Sequence, residues 1–83
     1  MPNQYLTPDV ISLLADEMVV EFFEQGDLTS TSRVPEIAGK VQERLREERL
    51  PSRWSLAKMI ARQLQYKWRA RVLLTQTQLR REN

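Results

Sequence analysis

Residues 53–81 read RWSLAKMIARQLQYKWRARVLLTQTQLRR, and this stretch decides the fold. No proline or glycine interrupts it. On a helix, Ala57, Ile60, Ala61, Leu64 and Trp68 gather on one side. Lys58, Arg62, Gln65 and Arg69 gather roughly 110° away, at spacings of four, three and four. Ser55 lies at the edge of that second stripe, and Lys67 and Arg71 flank the apolar side from its other edge. The pattern predicts one helix over about 53–78, with one packed face and one polar face.

Working towards the N-terminus, Leu50-Pro51-Ser52 breaks the chain, because proline lacks an amide donor and disfavours helix in the residue before it. Ser52 is the expected N-cap of the following helix. A second helix is expected over 34–49, starting between Ser32 and Pro35. Its apolar stripe is Val34, Ile37, Ala38, Val41 and Leu45, and its far side alternates in sign through Lys40, Glu43, Arg44, Glu47 and Glu48. Gly39 inside it is read as a point of close approach to another helix. Residues 27–33 are a loop rich in Thr and Ser, and nothing in the chain alternates as a hairpin would.

The first helix is expected over 8–25. Thr7 is its N-cap, Pro8 fits its first position, Asp9 suits the positive end of the helix dipole, and Gly26 is its stop. Ile11, Leu14, Met18 and Phe22 form one face, while Val10, Leu13, Val19, Val20 and Phe23 carry apolar surface nearly all round. Such a helix is covered on more than one side, and a second chain is one source of cover. The fold class is therefore all-α: a compact three-helix domain spanning 1–83 with a long C-terminal helix, helix-turn-helix-like and dimeric.

Composition sets the remaining bounds. Eighty-three residues suit one domain, and the chain has no Cys and no His. Disulfides and the usual structural zinc sites are excluded, so stability must come from packed helices or from an oligomer. No stretch approaches the roughly 20 apolar residues of a membrane span, and the N-terminus lacks the basic-then-apolar order of a secretory signal. The expectation is a cytoplasmic protein without a membrane partner. An amphipathic membrane-surface helix over 53–79 is a weaker reading, since the first helix supplies a core for its apolar face.

No catalytic function is expected. Triads and dyads need His or Cys, and two distant glycines make no phosphate-cradling loop. Glu17, Glu21 and Glu24 share a helix face, but such a ladder is read as solvated surface rather than a metal site. No cofactor is expected.

Charge is informative. Residues 1–28 hold six acids and no Lys or Arg; the rest holds all thirteen Lys and Arg against five acids. From Arg53 to Arg81 there are eight Lys or Arg and no acid. Cations three and four apart repel slightly, so this helix calls for an anionic partner. The leading reading is a small nucleic-acid-binding protein, a DNA-binding regulator acting through its third helix. Arg53, Ser55, Lys58 and Arg62 would face base edges, Gln65 an adenine, and Lys67, Arg69 and Arg71 phosphates. RNA is a lesser option, through stacking on Trp54, Tyr66 and Trp68, although both tryptophans map near the apolar side and are read as core. Val72, Leu73, Leu74 and Leu79 continue beyond what a small core needs and suit a homodimer contact. The rival reading is a protein-interaction adaptor, or a regulatory subunit, using the apolar, acidic first helix.

Overall fold

The structure, a computed structural model, describes residues 6–23 and 25–82. It is all-helical among these residues, with α1 at Pro8–Phe22, α2 at Val34–Glu47 and α3 at Trp54–Glu82. A 3-10 turn, Thr31–Arg33, leads directly into α2. Twenty-nine residues of α3 make a rod of about 43 Å, which sets the long dimension of a body measuring 53 × 27 × 17 Å.

Helix α3 is the middle member: both α1 and α2 pack chiefly on it. Its buried residues are Ala57, Ile60, Ala61 and Leu64, the four periodic positions at the front of its apolar stripe. Against them lie Ile11, Leu14, Ala15, Met18, Val19 and Phe22 of α1 and Ile37, Ala38, Val41 and Leu45 of α2. Each large side chain so buried stabilises the fold by about 1.5–3 kcal/mol. Three small buried residues, Ala57 and Ala61 on α3 and Ala38 on α2, let the helices approach closely.

The start of α1 follows its sequence signals. Thr7 Oγ1 accepts a hydrogen bond from the Val10 amide at 3.2 Å, and Pro8 opens the helix. The helix ends at Phe22, three residues short of expectation, and Gly26 turns the chain at φ 88°. The Gln25 side chain donates to the Glu21 carbonyl, satisfying one of the last acceptors.

Between α2 and α3 the chain makes a Schellman ending without glycine. The Leu50 amide bonds back to Leu45 O at 2.9 Å and the Arg49 amide to Arg46 O at 3.1 Å. Arg49 takes the left-handed position at φ 58°. Leu50 packs against the core, as such endings favour. Helix α3 then begins one residue later than expected: Arg53 O accepts the first helical bond from the Ala57 amide, so Arg53 holds the N-cap position instead of Ser52. The Ser52 carbonyl instead accepts from Gln42 of α2 at 2.7 Å, which ties the linker down.

Two expectations are corrected, and one core residue is added. A Cβ added at Gly39 would meet nothing within 4 Å, so no helix crosses closely there. Trp54 is 42% exposed, because it lies at the margin of the buried stripe Ala57, Ile60, Ala61 and Leu64, while Trp68 does pack against the core. Leu28, within the loop, is fully buried and belongs to the core.

Candidate nucleic-acid interface

The outward face of α3 carries Ser55, Lys58, Arg62 and Arg69, and Arg53 precedes the helix at its N-cap position. Arg53, Ser55, Arg62 and Arg69 are exposed, and Lys58 is half-buried. They are positioned by the opposite side of the same helix, whose alanines, Ile60 and Leu64 are locked into the core. From Lys58 to Arg69 the cations extend along about 16 Å of helix. None of Arg53, Lys58, Arg62, Arg69 or Arg71 makes an ion pair among the described residues.

Three other cations have acidic partners, while Lys40 and Arg46 have no ion pair among the described residues. Arg33 pairs with Glu36 at 2.9 Å. Arg44 bridges Glu17 of α1 and Glu48 of its own helix. Lys67 reaches Asp16 at 2.9 Å and Ser12 Oγ at 3.1 Å, which clips α3 to α1. Lys67 was a candidate phosphate contact; its ammonium is engaged inside the fold. Arg71 is exposed but lies on the α1 side, beside Val20, Glu21, Phe23 and Leu74, away from the Arg62 stripe. Gln65, a candidate base contact, turns its amide inward to Leu28 O at 2.6 Å and Ser30 O at 3.0 Å.

The loop contributes to the same surface, which the sequence did not signal beyond its hydroxyl-rich composition. Thr29, Thr31, Val34 and Pro35 form one wall of an open groove, and Arg62, Gln65, Tyr66 and Arg69 form the other. Tyr66 is 79% exposed and stands between Arg62 and Arg69. A second shallow groove runs along Ser55, Lys58, Met59, Arg62, Gln63 and Tyr66. Cationic, hydroxyl and aromatic groups therefore alternate along one continuous strip. Such a strip suits an anionic polymer with flat rings.

Several bonds hold the loop wall in place. The Asp27 carboxylate accepts from the Thr29 amide at 2.8 Å and from the Thr29 hydroxyl. Those bonds hold its pKa below the ordinary carboxylate range, with smaller contributions from the positive charges of Arg69 and Arg33. The Arg33 guanidinium donates to the carbonyls of Gln25 and Asp27, both at 3.2 Å.

No group of three acidic, His or Cys side chains that could hold a metal occurs among the described residues; Glu24, part of the carboxylate ladder considered above, lies outside them. No helix is long and apolar enough to cross a membrane among the described residues. No protein-family model matches the chain, and neither a curated protein nor a solved structure is significantly similar to it.

Proposed function

We propose that this chain binds nucleic acid, duplex DNA foremost, through the outward face of α3. One observation carries the reading: Lys58, Arg62 and Arg69 share one acid-free face of α3 and have no ion pair among the described residues, while Lys67, on the α1 side of the same helix, is held by Asp16. Unpaired cations on a rigid helix are suited to phosphates, whose counterions they release on binding. Helices α2 and α3, joined by the short turn at 48–53, would act as a helix-turn-helix. In that arrangement Arg53, Ser55, Lys58 and Arg62 reach base edges and Arg69 meets phosphate. Tyr66 adds a stacking surface beside them.

The test is a salt titration of binding to mixed-sequence duplex DNA, with single-stranded RNA and anionic vesicles in parallel. Four or so cations predict a log–log slope near −4. Absence of duplex binding at low salt would sink the reading, and preference for vesicles would replace it with a membrane-surface role.

A second reading has its own observation. Leu13 and Val20 of the acidic helix α1 are 61% and 59% exposed. That face suits a contact with another protein, as an adaptor or regulatory subunit would make.

A further inference from the structure

We propose that the outward face of α1 in one copy of the chain docks on the outward face of α3 in a second copy. Two rows of large apolar residues are left uncovered. On α1 the row is Leu13 and Val20, seven residues apart. On α3 it is Met59, Tyr66 and Leu73, again seven apart, exposed by 44%, 79% and 53%. Seven residues are close to two helical turns, so each row keeps to one line, as in paired helices.

The rows match in charge. Leu13 and Val20 are bordered by Asp9, Asp16, Glu17 and Glu21, and α1 contains no Lys or Arg. Met59, Tyr66 and Leu73 are bordered by Lys58, Arg62 and Arg69, and α3 contains no acid before Glu82. Leu13 and Val20 lie about 10 Å apart along α1, and residues 59–73 span about 21 Å, so the α1 row fits within the α3 row. Asp9 and Glu21 on one side, and Lys58, Arg62 and Arg69 on the other, have no ion pair within the chain among the described residues.

A chain cannot make this contact with itself. Its α1 already turns Ile11, Leu14, Met18 and Phe22 into the core shared with α3, so both outward rows face away from that core. A second copy supplies the missing partner to each, burying apolar surface on both while pairing opposite charges. The contact joins unlike surfaces. It closes as a dimer if both α1–α3 pairs form between the same two molecules, and otherwise extends head to tail. Because Arg62 and Arg69 serve both partners, self-association and nucleic-acid binding compete; the competition, unlike the contact, rests on the function proposed above.

The experiment is sedimentation velocity on the full chain across a wide concentration range, at low and high salt. The expected result is a mass that at least doubles with concentration at low salt and returns towards the monomer at high salt. Leu13→Ser with Val20→Ser should keep the chain monomeric, with helicity checked by circular dichroism. Arg62→Glu with Arg69→Glu should do the same, and mixing that variant with Asp9→Lys, Glu21→Lys protein should restore association. A monomer at every concentration, or wild-type association by the Leu13→Ser, Val20→Ser variant, would overturn the proposal. Duplex DNA added to the wild type should dissolve the assembly. If the Leu13→Ser, Val20→Ser monomer binds no DNA, the nucleic-acid reading fails while the contact stands.

Discussion

The side-chain amide of Gln65 lies 2.6 Å from the carbonyl oxygen of Leu28, thirty-seven residues earlier in the chain, and it donates to Ser30 O as well. One polar side chain of α3 thereby fixes the loop that walls the groove beside Arg62 and Arg69. Gln65→Leu should leave the partly buried Leu28 carbonyl without its donor and cost about 1–3 kcal/mol. Chemical denaturation measures this. A base-reading role for Gln65 would instead leave stability near wild type and change the preferred DNA sequence.

Leu28 itself should be among the most sensitive positions. It is fully buried, and Leu28→Ala removes a side chain from a core that collapses only partly around the gap. The expected loss is about 2–5 kcal/mol, against a total stability of order 5–15 kcal/mol for a folded domain. A drop in the denaturation midpoint far larger than that of an exposed leucine, such as Leu73→Ala, checks the assignment.

How far the sequence spoke for itself follows from where each determinant lies. Thr7 and Pro8 announce α1 because a cap is a local device, and the stripes of α2 and α3 announce their buried faces because periodicity is local too. Leu28 is different. It sits between Asp27 and Thr29 with no periodic neighbours, and only the cluster formed by all three helices makes it core. Gly39 is similar: periodicity says which face it occupies but not whether another helix crosses there. The candidate interface divides in the same way. The acid-free stripe of α3 is visible in the sequence, but the engagement of Lys67 by Asp16 is a tertiary fact.

Two substitutions should raise stability. Gly39 lies inside α2 with open space where a Cβ would go, so Gly39→Ala should gain about 1 kcal/mol from helix propensity. Arg49 holds a left-handed backbone at φ 58°, a conformation that costs an ordinary residue about 1–2 kcal/mol. Arg49→Gly should recover part of that, about 0.5–1 kcal/mol. Each kcal/mol corresponds to a rise of roughly 4–8 °C in Tm for a domain of this size. No rise for Arg49→Gly would mean that its side-chain contacts outweigh the backbone relief.

The pH dependence should be simple. The chain has no histidine, the residue type whose ordinary pKa lies between about pH 5 and 8. Asp27 and Glu36 both have lowered pKa values: Asp27 through its bonds from Thr29, and Glu36 through the Arg33 hydrogen bond and charge. A carboxylate whose pKa is lower folded than unfolded stabilises the fold above its unfolded pKa. That contribution is lost as pH falls through the folded value. Stability should therefore be flat through neutrality and decline below about pH 4. The Thr29 amide resonance should shift in the same window, and Asp27→Asn should remove that shift.

Charge removal along α3 should separate the cations that face solvent from the one engaged within the fold. Arg62→Ala and Arg69→Ala each delete an unpaired cation of the outward face, so each should flatten the salt slope of DNA binding by about 1 without unfolding the chain. Lys67→Ala deletes a cation already held by Asp16 and Ser12. Its slope should stay at the wild-type value, while stability falls by up to about 1 kcal/mol, as partly exposed ion pairs are weak. The three variants carry the same change in net charge. Equal effects on the slope would mean that binding follows net charge alone; unequal effects, in this order, assign it to the outward face of α3.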